Sequence, residues 1–155
     1  MDRKATYKHL VRQTEALFKD EAYFLPAAAN LIAVLHEGLG NWWTGFYFVR
    51  GEELILGPFQ GPVACTRIAK GKGVCGTAWN ENRTLIVPDV HAFPGHIACS
   101  PASNAEIVVP FRVNQQIVGV LDLDSTDFNY YGEEDATYLS HLLEMLAKKW
   151  EGKLL

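Results

Sequence analysis

Two β-favouring segments separated by only two residues constrain the fold of this chain most strongly. Ile107–Val113 and Gln116–Asp124 are rich in β-branched and apolar residues, and Asn114-Gln115 joins them. A connection this short permits only antiparallel pairing, because parallel neighbours need a crossover of a dozen or more residues. The sequence therefore predicts a hairpin within an antiparallel sheet.

The hydrophobic period changes several times along the rest of the chain, between about 3.6 for helices and 2 for strands. The other predicted elements are a helix with apolar residues from Leu10 to Phe18, a helix with a stripe from Phe24 to Leu39, strands at Trp42–Val49 and Glu53–Leu56, a break at Gly57–Pro62, an extended piece at Val63–Ile68, a glycine-rich lead-in at Gly71–Gly76, a short helix at Thr77–Glu81, a strand at Thr84–Val87 and a closing helix from about Glu133 to Trp150. This order predicts one α+β domain over residues 1–155, with helices on one face of the sheet and a ligand pocket on the other.

Composition excludes several classes of protein. Of the 155 residues, 48% are hydrophobic and 21% charged, which predicts a packed core rather than disorder. The net charge of −4 argues against nucleic-acid binding. No stretch approaches the roughly 20 apolar residues of a membrane span, and the first residues lack the apolar core of a signal peptide. We therefore expect a cytoplasmic protein with no membrane contact.

A long stretch from His91 to Glu106, rich in Pro, Gly, Ser and Asn, separates two predicted strands. Loops of this length without regular structure are uncommon in compact domains and are usually functional or disordered. This one carries two histidines, Cys99 and a glutamate, which disorder does not require. We interpret it as an active-site loop built around Cys99.

The three cysteines are Cys65, Cys75 and Cys99. Their separations do not match the close pair of a structural zinc site, and His96 three residues before Cys99 is a weak signal alone, so no metal is predicted. In the cytosol, where thiols are kept reduced, disulfides tend to be transient and catalytic. The plain alternative is that all three are small buried hydrophobes, with Cys65 on a strand facing the core.

Redox chemistry needs a thiol that ionises readily. Cys99 shares its loop with His91 and His96, so its local field favours the thiolate. Cys75 lies at the mouth of a predicted helix, where backbone N–H groups stabilise an anion. Either thiol is a candidate nucleophile, and a second thiol would then resolve its sulfenic acid to a disulfide.

Acidic residues end one apolar strand and begin its neighbour. Asp122 and Asp124 are two positions apart, so they point to the same face, and Glu106 opens the adjacent strand. Three carboxyl groups on one face can hold a ligand ammonium, and a protonated member can donate to a leaving oxygen. Alternatively, the two aspartates only end the strand and cap the turn that follows.

Aromatic residues alternate along the first predicted strand. Trp43 and Tyr47, with Gly45 between them, share one face, whereas Phe46 and Phe48 share the other. One set belongs to the core and the other is a candidate pocket wall, although aromatic strands are usually core. Gly45 marks a bulge or a place of close approach.

Five blocks in this order resemble the free methionine-(R)-sulfoxide reductases, which are single GAF-type domains. The blocks are Gly57–Gly61 with Ala64-Cys65, Gly73–Ala78, Phe93–Cys99, Glu106–Pro110 and Gly119–Ser125. The resemblance runs from about the first helix to the last, which is nearly the whole chain, and the blocks include all three cysteines.

The resemblance implies reduction of free methionine (R)-sulfoxide, not of the residue within proteins. It implies that Cys99 attacks the sulfoxide sulfur, that Cys65 resolves the sulfenic acid as a Cys65–Cys99 disulfide, and that Cys75 is a supplementary thiol. Thioredoxin, recharged with NADPH by its reductase, would restore the thiols, with no bound cofactor. The family is often dimeric, so a homodimer is an open expectation. The implied substrate-binding residues are Trp43, Tyr47, Glu106, Asp122 and Asp124.

Two positions depart from the family pattern, in which an aspartate commonly follows the nucleophile and a polar residue precedes the glutamate. Here those positions hold Ser100 and Ala105, which bear on loop positioning rather than on a reacting group. Two other functions stay open on the residues alone. One is a small-ligand or redox-sensing module without turnover, and the other is a thiol peroxidase that uses Cys99.

Overall fold

The computed structural model describes residues 2–96 and 101–154. Its elements are α1 (Arg3–Phe18), α2 (Phe24–Leu39), β1 (Trp43–Arg50), β2 (Glu53–Gln60), β3 (Arg67–Ala69), α3 (Gly73–Glu81), β4 (Leu85–Val87), a 3-10 turn (Val90–Ala92), β5 (Ala105–Val113), β6 (Gln116–Ser125) and α4 (Glu133–Ala147). In this described part of the chain, six antiparallel strands form one sheet in the order β3-β2-β1-β6-β5-β4. The predicted α+β class is confirmed.

The predicted β5–β6 hairpin lies near the centre of this sheet. Val113 pairs with Gln116, and the two residues between them have φ angles of 51° at Asn114 and 67° at Gln115. Positive φ at both central positions is the two-residue hairpin turn whose twist matches that of the strands. The hairpin fixes the register that later brings the acidic residues together.

The two faces of the sheet are covered differently. α1, α2 and α4 pack on one face around the buried rings of Phe46 and Phe48. On the other face, Trp43 and Tyr47 belong to a second apolar cluster that includes Val74, Cys75, Ala78 and Trp79 of α3. The prediction of helices on one face therefore holds for three helices, and α3 is the exception because its own apolar residues pack against β5 and β6.

The predicted strand break at Gly57–Pro62 is wrong over its first four residues. β2 continues to Gln60, and the pairing with β1 shifts register between Gly45 and Tyr47. This bulge accommodates Pro58, which cannot donate a ladder hydrogen bond, and β3 pairs only with the start of β2.

The glycine-rich lead-in is also partly helical, since α3 begins at Gly73 rather than at Thr77. A Cβ at Gly76 would lie 2.6 Å from the carbonyl oxygen of Ala69, so this glycine permits close packing against β3. The extended piece predicted at Val63–Ile68 is irregular up to Thr66, and β3 itself covers Arg67–Ala69.

Among the described residues, no helix has the length and apolar character needed to cross a membrane.

Candidate active site

A pocket of about 540 Å³, counting its open mouth, lies on the α3 face of the sheet. Its walls come from β1, β3, β5, β6, the start of α3, the β2–β3 connection and the long stretch before β5. The lining residues are Trp43, Tyr47, Val63, Ala64, Ile68, Lys72, Gly73, Val74, Cys75, His96, Ser103, Glu106, Asp122 and Asp124.

The three predicted acidic residues meet at the base of this pocket. Glu106 pairs directly with Asp124 across β5 and β6, and Asp122 lies two residues earlier on β6 with its side chain on the same face. All three are buried, with exposures of 6% for Glu106 and Asp122 and 9% for Asp124. The predicted convergence of these residues is therefore confirmed as a geometric fact.

The hydrogen bonds of this acidic cluster (Glu106, Asp122 and Asp124) are unequal. The Ser103 hydroxyl donates to Oδ1 of Asp124 at 2.6 Å. The thiol of Cys75 lies 4.0 Å from Oε1 of Glu106. Oδ1 of Asp122 is buried and accepts no hydrogen bond from the residues that the structure describes. Asp122 thus presents an unused acceptor to the pocket.

Burial is the main electrostatic influence on the cluster. It raises the pKa of Glu106 and Asp124 well above the usual range, and the charge of Asp122 raises both further. The pKa of Asp122 is raised by burial too, but hydrogen bonds from Glu106, Cys75 and Asp124 act in the opposite direction. The cluster therefore retains protons that exposed carboxylates would lose.

The alternative in which Asp122 and Asp124 merely cap a turn is wrong. β6 continues through Ser125, and the side chain of Ser125 accepts the hydrogen bond from the N–H of Asp127 at 3.0 Å. Both aspartates face the pocket instead.

The aromatic wall has the predicted parity. The rings of Trp43 and Tyr47 stack with centroids 5.9 Å apart, and Phe59 stacks on Trp43 at 5.4 Å. The Tyr47 hydroxyl donates to the Cys65 carbonyl oxygen at 2.8 Å. A Cβ at Gly45 would lie 2.3 Å from Cη2 of Trp43, so the predicted close approach is that of this indole ring.

The cysteines differ in environment. Cys75 is a free thiol, 4% exposed, and its pKa is raised well above the usual value by burial and then by the charges of Asp122 and Glu106. The expectation of a helix-stabilised thiolate at Cys75 is therefore wrong, since burial and neighbouring carboxylates outweigh the helix terminus.

Cys65 is half-buried in an irregular segment and disulfide-bonded, so the core-strand alternative is also wrong. Cys99 lies outside the described residues, and its role remains a prediction.

The two loop histidines also differ. His96 lines the pocket, but burial, and then the neighbouring His91, lower its pKa below the usual value. His91 lies in an exposed position, with Nε2 3.0 Å from Oδ1 of Asn104. Burial therefore favours the neutral form of the His96 ring, which weakens its contribution to the expected positive field.

Sequence reasoning missed two polar pocket residues. Ser103 was grouped with the irregular loop, although its place three residues before Glu106 puts it beside the start of β5. Lys72 was taken only as part of the glycine-rich lead-in, whereas it immediately precedes the first turn of α3 and lines the pocket. In both cases the signal was proximity in sequence to a strand or helix end.

A six-stranded antiparallel sheet with helices on its faces and a pocket against α3 fits the fold of a GAF domain. The GAF domain family model matches residues 27–148 of the chain.

Three similar proteins narrow the family. GAF domain-containing protein A of Dictyostelium discoideum is 52% identical over 141 residues, covering 90% of this chain and 89% of the relative. Free methionine-R-sulfoxide reductase of Escherichia coli (strain K12) is 48% identical over 149 residues, covering 96% and 90%. The X-ray structure of free methionine-R-sulfoxide reductase from Neisseria meningitidis in complex with its substrate matches with a TM-score of 0.94 at 46% identity, covering 97% and 92%. The chain belongs to the GAF domain family, and within it to the free methionine-R-sulfoxide reductases.

Proposed function

We propose that this protein reduces free L-methionine (R)-sulfoxide to L-methionine through a cysteine nucleophile. The observation that carries the proposal is a single pocket that combines an aromatic wall with three buried carboxyl groups. It is supported by the close similarity to free methionine-R-sulfoxide reductases over nearly the full chain.

The pocket offers a partner for each part of a free amino acid. The acidic cluster attracts the ammonium, and the rings of Trp43 and Tyr47 pack against the methyl group and sulfur. Lys72 and the first-turn N–H groups of α3, which have no intrahelical acceptors, face the carboxylate. A methionine sulfoxide within a peptide has neither terminal charge and needs room for chain on both sides, so it is rejected.

Different members of the acidic cluster bind the ammonium and donate the proton. Asp122 carries the unused acceptor, and hydrogen bonds from its neighbours favour its charged form, so it binds the ammonium. Glu106 keeps its proton because of burial and donates it to the sulfoxide oxygen, whereas Asp124 is held by Ser103. Protonation is required because the sulfoxide oxygen is a poor leaving group.

The chemistry balances as two half-steps. The Cys99 thiolate attacks the sulfoxide sulfur, the S–O bond breaks, and oxygen passes to Cys99 as a sulfenic acid while methionine leaves. The Cys65 thiol then attacks the sulfenic sulfur, releasing water and forming a Cys65–Cys99 disulfide. The disulfide-bonded state of Cys65 in the structure supports its resolving role.

The dithiol of thioredoxin returns the disulfide to two thiols and is itself reduced with electrons from NADPH. Cys75 is a supplementary thiol, since its burial favours the neutral form. We place the protein in the cytoplasm, where this reductant is maintained, and a homodimer is part of the same proposal.

A single-turnover experiment tests the reaction without any recycling system. Pre-reduced protein, freed of reductant, is mixed with free L-methionine (R)-sulfoxide, and methionine and remaining thiols are counted. We expect one methionine formed and two thiols lost per chain, and no methionine with Cys99→Ser. With Cys65→Ser, one methionine should form and a sulfenic acid should be trapped by dimedone at Cys99. Full methionine formation by Cys99→Ser would refute the assigned nucleophile.

A further inference from the structure

Three potential metal ligands of different chemistry converge at the inner end of the pocket. One ligand atom each from Cys75, Glu106 and Asp122 lie within 4.8 Å of one another, and all three residues are buried. The separation of the Cys75 sulfur and the Glu106 oxygen is 4.0 Å. These residues come from α3, β5 and β6, so the sheet and helix hold them together rather than a flexible loop.

A second observation indicates that this cluster has an acceptor atom available to a ligand. Asp122, 6% exposed, lines the pocket, and its Oδ1 accepts no hydrogen bond among the described residues. A buried carboxylate oxygen without a partner is costly, and a cation would satisfy it.

We propose that Cys75, Glu106 and Asp122 bind one Zn²⁺ ion, and that the ion inhibits the enzyme by occupying the acidic end of the pocket. The inhibitory part rests on the proposed function, because Asp122 and Glu106 are the groups assigned there to the ammonium and the proton. Zinc and the free amino acid would then exclude each other.

The distances are close to those of a zinc site. Zn–S bonds are about 2.3 Å and Zn–O bonds about 2.0–2.2 Å, so a tetrahedral ion holds a sulfur and an oxygen roughly 3.6 Å apart. The Cys75 sulfur and the Glu106 oxygen are 4.0 Å apart, so a small side-chain rotation toward the ion completes the site. Three protein ligands leave the fourth tetrahedral position for a water molecule on the pocket side.

The ligand types discriminate among metals. A thiolate with two carboxylates favours zinc over Mg²⁺ or Ca²⁺, which prefer all-oxygen sites. Zinc binds the deprotonated thiolate and carboxylates, so binding releases protons and zinc affinity should increase with pH.

The binding test uses a Cys65→Ser/Cys99→Ser background, in which Cys75 is the sole thiol. Co²⁺ is added first, because a thiolate-to-cobalt charge-transfer band reports the metal–sulfur bond directly. Zn²⁺ is then titrated against a chromophoric chelator. We expect a cobalt band that zinc abolishes and one zinc per chain. The band should disappear with a further Cys75→Ser change, and affinity should fall by about tenfold or more with Asp122→Asn.

Ser103→Ala in the same background is the matched control, since it removes the contact to Asp124 but none of the three ligands. It should retain the band and the stoichiometry. Circular dichroism verifies folding of every variant, and the cobalt band in the unsubstituted site needs no ligand variant at all. Absence of the band together with absence of stoichiometric zinc binding would overturn the proposal, whatever the enzyme activity.

Inhibition is measured separately on the wild-type enzyme. Zinc should raise the KM for free methionine (R)-sulfoxide with little change in kcat, and saturating sulfoxide should displace cobalt from the Cys65→Ser/Cys99→Ser protein. Zinc binding that is unaffected by the sulfoxide would overturn the inhibitory part. Zinc binding in a protein that reduces no sulfoxide would refute the proposed function and leave the metal site standing.

Discussion

The Ser103 hydroxyl donates a 2.6 Å hydrogen bond to Oδ1 of Asp124, and both residues are buried at the base of the pocket. Ser103 lies near the end of the long loop, two residues before β5, whereas Asp124 is near the end of β6. The bond therefore connects the loop that carries Cys99 to the acidic cluster, and it lowers the pKa of Asp124 against the larger effect of burial.

Removal of that bond should change the pH dependence of the reaction. In Ser103→Ala, we expect kcat/KM to fall by about tenfold, which corresponds to about 1.4 kcal/mol and suits the loss of one buried hydrogen bond. The pKa of Asp124 should increase, so the acid side of the kcat/KM profile should move to higher pH. Ser103→Thr keeps the hydroxyl and should restore the profile. An unshifted profile in Ser103→Ala would show that the bond is only structural.

Gly45 should be required for the position of the Trp43 ring. In Gly45→Ala, the new methyl group would overlap Trp43 and the Cβ of Phe59, so the indole must move within the pocket wall. We expect KM for the sulfoxide to increase by about tenfold with a smaller change in kcat. Gly132→Ala is the control, because no atom lies within 4 Å of the added carbon there. Equal kinetics for the two alanine variants would contradict the assigned wall.

The Asp122 carboxylate should lower the free energy of unfolding of the protein, although it supports catalysis. At neutral pH, Asp122→Asn should increase the free energy of unfolding by about 1–3 kcal/mol, because it removes a buried carboxylate that has one oxygen without a hydrogen-bond donor among the described residues. The same variant should lose about 100-fold in kcat/KM, because it loses the charge that binds the ammonium and that raises the pKa of Glu106.

The size of this stability effect depends on pH. The folded pKa values of the cluster are raised, so the folded state holds more protons than the unfolded chain above pH about 4. The cluster's contribution is therefore greatest below pH 4 and is lost as pH rises through the raised values. Urea denaturation from pH 4 to 8 should show the advantage of Asp122→Asn growing with pH. Parallel curves would contradict the raised pKa of the cluster.

Cys75 should react slowly with alkylating reagents in the folded protein. Burial, and then the nearby carboxylates, disfavour its thiolate, which is the reactive form. In the Cys65→Ser/Cys99→Ser background at pH 7.5, we expect iodoacetamide to modify Cys75 at least about tenfold more slowly than it modifies free cysteine. Denaturation in urea should remove the protection. Reaction at the rate of free cysteine in the native state would contradict the buried, neutral thiol.

Local patterns predicted the sheet and the shared faces because these depend on short-range geometry. The two-residue turn at Asn114-Gln115 required the β5–β6 hairpin, and the strand period of 2 placed Asp122 and Asp124 together. The same period separated Trp43 and Tyr47 from Phe46 and Phe48.

Features that depend on tertiary packing were predicted less well from the sequence. The charge state of Cys75 depends on the packing of α3 against β5 and β6 and on Glu106, 31 residues further along the chain, which no local pattern reveals. The continuation of β2 through Pro58 depends on a bulge opposite β1. Ser103 became a site residue only through the register that places Asp124 beside it.

The most direct test of the proposed function is NADPH consumption in a thioredoxin-coupled assay with three substrates: free L-methionine (R)-sulfoxide, the (S) epimer and the N-acetylated (R)-sulfoxide. We predict turnover of the free (R) form, none of the (S) form, and a kcat/KM reduced by at least about 100-fold for the N-acetylated form, which cannot place an ammonium against Asp122. Equal turnover of the free and N-acetylated (R)-sulfoxides, or no turnover of any sulfoxide by folded protein with three titratable thiols, would contradict the account.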